Sequence, residues 1–421
     1  MFSWGFLMTA ALTLEQRVAK RRQAQQLMQD MGIPMWITWV EDNAAEEAHL
    51  PLIGAHRGAA TVAYVLTPEK AVSFCPSIEA QIQRDDGFEV VELKGRGVLP
   101  PLVDQLGSVF GEPIPDIALN YSGTFGAVDT LGHGNYMAIT RRLAERYHAG
   151  EHPDSRFMPA DELIMAIASA KLPFEIDYLR EASQITYAVL DEAFPQIRSG
   201  MTEKDAAALV QSIAEARMAK DSRLGYSWAK GFNPIVLTGD GIAGSPHAPP
   251  SDRVIQSGST VYMDFGISVN GYHGDLQHFG YVLQDGETEA PQHVLAMYEL
   301  LVRSITAGMR AALPGVRGYE VDEVCRKIIT SAGHPSFKHG TGHQLGAGNT
   351  HTPGAAFTVQ FSEETGLTVP ESHLKIQKGF TMTIEPRIQI ANGASIEIDG
   401  VITDAGFEPF APIQERIYLV R

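Results

Sequence analysis

VYMDFGISVNGYHGDLQHFG, residues 261–280, sets two apolar runs on either side of Asn270-Gly271. Asn-Gly between apolar runs is a strong signal for a two-residue hairpin turn, because both central positions need a positive φ. A turn there pairs residue 264 with 277 and 266 with 275. Asp264 and Asp275 then share one face, a diagonal step apart, close enough to touch one cation or bridge two. The plain alternative is a pair of solvent-facing strand aspartates. It fits poorly, because Asp264 is embedded in the core-like run VYMDFGI.

Working outward, the pattern repeats. IQIANGASIEI (388–398) places a second turn near 391–393 and returns Glu397 beside Glu385. Glu385 interrupts the apolar run TMTIEPRI (381–388), and Pro386 marks an edge or a bulge. A buried glutamate needs a cation to answer it, either a metal or Arg387 in a salt bridge. Between the hairpins, FKHGTGHQLG (337–346) holds His339 and His343 on a glycine-rich loop that allows close backbone approach. His351 follows in NTHTPG, and His247 precedes the first hairpin in SPHAPP. Asp264, Asp275, His343, Glu385 and Glu397 together are too much acid for one buried place without cations. Two divalent metals would neutralise it and activate water for hydrolysis. Imidazole with hard carboxylates suits Mn, Co, Zn or Fe better than Ca or Mg. No cysteine takes part, which argues against a closed structural zinc site.

The rest of the chain sets bounds. Its 421 residues suggest more than one domain, and 44% hydrophobic with 20% charged residues is ordinary for globular cores. A net charge of −17 disfavours a polyanion partner, so no nucleic acid is expected. The one basic run, AKRRQ at 19–23, reads as the solvated face of a helix. Cys75 and Cys325 lie far apart, which suits a reducing compartment such as the cytoplasm rather than a disulfide framework. No window has eighteen uninterrupted apolar residues, so no membrane span is expected. The start, MFSWGFLMTAAL, lacks a basic leader and reads as a short extension, with Met8 as an alternative initiator.

Helical spacing over 13–31 precedes short strands at 35–40, 61–66, 71–75, 88–93 and 116–120, with helices near 99–109 and 134–148. Strands alternating with helices predict an α/β N-terminal domain over 1–165. Residues 166–421 then predict an α+β domain. A helix follows the Thr202 N-cap, others run over 291–311 and 318–332, and a long loop spans 344–378.

Taken together, these motifs resemble the pita-bread metallopeptidases, the superfamily of aminopeptidase P, prolidase and creatinase. The likeness covers roughly residues 170–421, and the preceding α/β domain is similar to that of the same group. In that family two aspartates stand eleven residues apart on adjacent strands, as Asp264 and Asp275 do. The second histidine of HGxGH implies His343 as a ligand, the E-P pair implies Glu385, and I-E-x-D implies Glu397. By the same resemblance Asp275 and Glu397 bridge two metals, Asp264 binds one, and His343 with Glu385 the other. His247 and His351 would steady the substrate carbonyl and the tetrahedral intermediate, and His339 would be a substrate or supporting contact. Creatinase lacks these ligands, so its chemistry is set aside.

Three departures stand out. Arg387 replaces the glycine common after E-P. Ser395 stands where Xaa-Pro enzymes often carry arginine. Gln277, His278 and Phe279 replace T-R-T. They suggest an intact metal core with an altered substrate-facing rim. Arg387 either neutralises the acidic site or reads a substrate C-terminal carboxylate.

The resemblance implies a dinuclear, manganese-dependent exopeptidase cutting before proline in a peptide substrate, with Glu385 as proton shuttle and a homodimeric assembly. Alternatives are an Xaa-Pro dipeptidase or proline-releasing carboxypeptidase using Arg387, a phosphoester hydrolase, and a non-catalytic binding protein. The negative charge weighs against the phosphoester, and the complete ligand set against the binder.

Overall fold

The computed structural model describes residues 12–41, 50–55, 60–94, 97–149, 153–228, 233–362 and 366–421. The alternative start at Met8 lies outside them. The described chain divides into two compact units, the first running to Ala168 and the second from Ser169 to Arg421.

The first unit is built on a six-stranded mixed sheet. Its order is Glu89–Leu93, Ala71–Pro76, Val62–Leu66, Trp36–Val40, Ile117–Leu119 and Phe157–Pro159. Helices Leu14–Met31, Ser77–Asp85, Leu99–Phe110 and His133–Tyr147 accompany it. Thr13 caps the first helix in a reciprocal capping box with Gln16, and Gly32 ends it in the left-handed conformation. The apolar core gathers Ile37, Val65, Phe74, Leu102, Leu106 and Leu143. The basic run on the first helix is not a solvated face. Lys20 and Arg21 are buried, and only Arg22 is exposed. The guanidinium of Arg21 donates to the carbonyls of Ile53, Gly54 and Asp86 and lies over the Phe88 ring. Backbone carbonyls and an aromatic face, distant in sequence, are what make that burial tolerable.

In the second unit, Tyr418–Val420, Leu276–Val282, Thr260–Phe265 and Ile235–Thr238 form one sheet in that order, and Thr381–Ile384, Ile398–Thr403 and Gly406–Pro409 form another. Helices Pro173–Ala193, Glu203–Met218, Gln292–Ala311 and Gly318–Ser331 belong with them. Thr202 caps the helix Glu203–Met218, its hydroxyl accepting from the Asp205 N–H, a contact worth about 1 kcal/mol.

Two registers position the site. Asp264 pairs with Gln277 and Phe265 with Leu276, and beyond Gly266 the same register continues as Ser268 with His273 and Val269 with Tyr272. Asn270 and Gly271 both take positive φ, as a primed turn requires. In the second hairpin Ile384 pairs with Ile398, and Arg387 with Ser395. One register thus carries through the break at Glu385-Pro386 and sets Glu385 opposite Glu397. Asn392 supplies the positive φ of that turn.

Candidate metal centre

The two hairpins bring their acidic faces together at a backbone link, the Glu397 N–H donating to the Gln277 carbonyl at 2.9 Å. The histidine loop is the third wall. Thr383 N–H donates to the His343 carbonyl, and Glu385 N–H to the Thr341 carbonyl, so the loop runs along the strand that carries Glu385. A Cβ on Gly342 would collide with the Thr383 carbonyl, which explains the glycine before His343. The helix Gly318–Ser331 clamps the loop from behind. Asp322 accepts from the Thr341 hydroxyl at 2.6 Å, and Arg326 donates to the carbonyls of Phe337 and His339.

Asp275, His343 and Glu397 each offer a ligand atom, all within 4.8 Å of one another. His343 Nε2 stands 3.7 Å from Asp275 Oδ2 and 3.9 Å from Glu385 Oε1. His343 Nδ1 contacts the Gln344 carbonyl at 3.1 Å. A carbonyl only accepts, so Nδ1 holds the proton and Nε2 presents its lone pair. Both carboxylate oxygens of Glu397 and Oδ1 of Asp264 are buried without a hydrogen-bond partner. Orphaned buried oxygens in an acidic cluster beside a histidine lone pair fit divalent cations.

Electrostatics agree. Burial pushes the Asp264 carboxyl up to about 6 and Glu385 up to about 8. Burial, then the charge of neighbouring carboxylates, drives Asp275 and Glu397 well above the ordinary range. Without cations the cluster holds protons instead. Burial, then His351, holds His343 well below its usual value and so neutral.

Around this floor the structure gathers the other histidines. His351 stacks on His343 with ring centres 3.7 Å apart. His247 lies at the surface beyond the turn Gly239–Ala243, its pKa lowered by burial and then by Arg387. It is near enough to His339, His343 and His351 to depress all three. His339 Nδ1 bonds the Gly340 carbonyl at 2.7 Å and lies 3.8 Å from Glu385 Oε2.

Arg387 is wholly buried. It makes no ion pair among the described residues. One terminal nitrogen donates to the Ile242 carbonyl at 2.9 Å, the guanidinium stands over the Tyr262 ring, and Nε with the other nitrogen has no partner. Its charge still reaches the cluster, lowering Asp264 and Glu385 against the effect of burial. The salt bridge weighed as one reading of Arg387 is thus not formed with Glu385, and its charge acts only at a distance; Tyr262, beneath the guanidinium, donates its hydroxyl to Asp264 at 2.9 Å. The departures expected at a substrate-facing rim are all buried side chains. Gln277 reaches Asp264 and Glu385, Ser395 reaches Gln277, and Arg387 stands over Tyr262. His278 packs against Tyr187 and Tyr418, and Phe279 lies in the apolar core beside Tyr298.

Sequence reasoning left one supporting group without a role, Asp399. Its carboxylate accepts from the Ser183 hydroxyl and, at 2.9 Å, from the Asp275 N–H, and burial raises it to about 8. The available signal was a second acid two places after Glu397 in an apolar strand.

Comparison with known proteins follows the same boundary. Residues 177–404, more than half of the chain, match the profile of metallopeptidase family M24. The uncharacterized peptidase YqhT of Bacillus subtilis is 30% identical over 257 residues, covering 60% of this chain and 65% of that protein. The uncharacterized peptidase MW1651 of Staphylococcus aureus is 25% identical over 255 residues, again 60% of this chain and 65% of the relative. The chain thus spans about two thirds of the length of these relatives. Among solved structures, an Xaa-Pro dipeptidase from Bacillus anthracis superposes with a TM-score of 0.73 at 23% identity, covering 96% of this chain and 100% of that one. An X-Pro aminopeptidase from Thermotoga maritima gives 0.73 at 22%, covering 94% and 100%. At such identity the likeness speaks for the fold, an α/β N-terminal domain followed by an α+β pita-bread domain. The family match over the segment that carries both acidic hairpins and the histidine loop makes this chain a member of metallopeptidase family M24.

Proposed function

We propose that the chain is a metal-dependent exopeptidase hydrolysing the bond before proline. The observation that carries this is the set of orphaned buried oxygens on Asp264 and Glu397 beside His343 Nε2, in a chain of this family. Asp264, Asp275, His343, Glu385 and Glu397 would hold two divalent ions, manganese first, with cobalt, zinc or iron as alternatives. Bound there, such ions polarise a carbonyl and lower the pKa of water.

The remaining chemistry belongs to the side chains. Glu385, whose carboxylate lies between His343 and the Gln277 amide, is the group that takes a proton and delivers it to the leaving amine. His351, lowered to about 4, stays neutral and keeps an N–H to donate to the substrate carbonyl oxygen. His247, on the adjoining loop, would serve the same oxygen as charge builds on it. Preference for proline draws support from the Xaa-Pro enzymes among the structural neighbours.

Arg387 acts in this scheme as a fixed internal counter-charge, because its complete burial keeps it from a substrate terminus. The carboxylate-reading alternative would make the protein a dipeptidase or a proline-releasing carboxypeptidase. A cytoplasmic homodimer completes the proposal. Two buried free cysteines support the compartment, and no described helix is long and apolar enough to cross a membrane.

Mass spectrometry of products from the Mn-loaded protein tests this. The panel holds Xaa-Pro, Xaa-Pro-Xaa, and longer peptides ending in proline with free or amidated termini. Release of the first residue from Xaa-Pro-Xaa is expected. Cleavage that demands a free C-terminal proline would favour the alternative. No cleavage with metal bound would sink both.

A further inference from the structure

Two departures noted in the sequence, Gln277 and Ser395, touch each other. They lie 118 residues apart, yet the Ser395 hydroxyl donates to Gln277 Oε1 at 2.6 Å. The other end of the amide enters the acidic cluster. Gln277 Nε2 donates to Glu385 Oε2 at 2.9 Å and to Asp264 Oδ2 at 3.3 Å. A primary amide has two N–H groups, one for each carboxylate. Carboxylates ionised by bound cations only accept, so in a loaded site the nitrogen must face them and the oxygen must face Ser395, as it does here.

The carboxylate atoms sort accordingly. Asp264 Oδ2 is occupied twice, by Gln277 and by the Tyr262 hydroxyl, while Oδ1 is left without a partner. Glu385 Oε2 is occupied by Gln277, while Oε1 faces His343 Nε2. The amide therefore ties back one oxygen of each carboxylate, leaving Glu385 Oε1 toward His343 and Asp264 Oδ1 unpartnered.

We infer that Gln277 is the positioning residue of the metal centre, selecting which single oxygen Asp264 and Glu385 present to a cation, with Ser395 locking its amide in that orientation. This rests on the acidic cluster being a metal site. Gln277 touches no substrate and holds no metal; it acts through the two carboxylates. Ser395 acts only through Gln277, and its second neighbour, the Pro386 carbonyl at 3.2 Å, keeps the hydroxyl on the hairpin.

The test is titration of the metal-free full chain with Mn(II) alone, free ion being followed by electron paramagnetic resonance. Four proteins are compared: wild type, Gln277→Met, Ser395→Ala and the double variant. Methionine keeps the volume and removes the donors. Gln277→Met should weaken Mn(II) binding by about tenfold or more, as loss of a group supporting metal ligands does. Ser395→Ala should weaken it by several-fold, and the double variant should match Gln277→Met alone. That non-additivity is the signature of one residue acting through another, and a general loss of packing would not produce it. Thermal melts of the metal-free proteins check folding. Should Gln277→Met fail to fold, Ser395→Ala decides: weaker binding at an unchanged melting temperature supports the inference, and unchanged binding overturns it. Wild-type affinity in Gln277→Met, or effects that add in full, would overturn it while leaving the metal centre standing. A wild-type chain that binds no Mn(II) would overturn both.

Discussion

The acidic floor and the histidine rim of this site are made in opposite ways. Asp264, Asp275 and Glu397 are buried strand residues or their direct continuation, fixed by two hairpin registers. His247 and His351 are exposed and ride on loops after the turn Gly239–Ala243 and after Asn349. The floor is held by backbone ladders, which a side-chain change leaves intact. The rim depends on local contacts such as the His343–His351 stack. Cation binding and substrate handling should therefore separate under mutation.

The strongest test of that separation is on the floor. Glu397→Gln or Asp275→Asn should remove metal from the protein and lower kcat/KM by about a thousandfold or more, since the charge that answers the cations is lost. Metal retention on elemental analysis would break the comparison. Next comes the rim. His351→Ala should cost about a hundredfold in kcat, within the range for a positioned donor or proton-transfer group, with Mn(II) affinity nearly unchanged. Loss of metal affinity equal to the loss of rate would merge rim and floor.

A third prediction concerns the floor without cations. Glu385 and Asp399 have folded values near 8, above the ordinary values near 4 of an unfolded chain. Between about pH 4 and pH 8 these two carboxyls hold protons that the unfolded chain has lost, so they withdraw stability as pH rises, while His339 and His351, held near 4 in the native state, work the other way below about pH 6.5. Above pH 7 only the carboxyl effect remains, so in chelator the melting temperature should drop from pH 7 to pH 8.5, and Mn(II) should abolish the drop. A pH-independent melt in chelator would contradict the buried acidic cluster. Smallest is Arg387→Ala, which should change cleavage of free and amidated substrates alike, by about tenfold or less. A selective loss on free C-termini would return Arg387 to substrate recognition.

Much of the floor was legible because hairpin register is local. Asn270-Gly271 alone fixes which residue faces which, and the same holds for the turn at Asn392. Five strands and three helices of the first unit were legible for the same reason, being short-range patterns such as the run 62–66, while the helix Ser77–Asp85 and the strand Phe157–Pro159 were not foreseen. What was not legible depends on residues remote in sequence. Arg387 is adjacent to the E-P pair, yet its partner carbonyl is Ile242, 145 residues away. Arg21 looks like part of a solvated face until the carbonyls of Asp86, Ile53 and Gly54 are brought beneath it. Gln277 and Ser395 read as two separate oddities, because nothing short of the assembled hairpins reveals that they touch.

The 2.9 Å bond from the Glu397 N–H to the Gln277 carbonyl has a consequence for the chain as a polymer. It closes a loop of more than a hundred residues that includes both long helices Gln292–Ala311 and Gly318–Ser331. A cation gripped by Asp275 and Glu397 would close that same loop a second time, with a far stronger link. Closing long loops is where a clip restricts the unfolded ensemble most. The centre would then be a reversible staple as well as a reagent, and amide exchange across both hairpins should slow together when it is fastened.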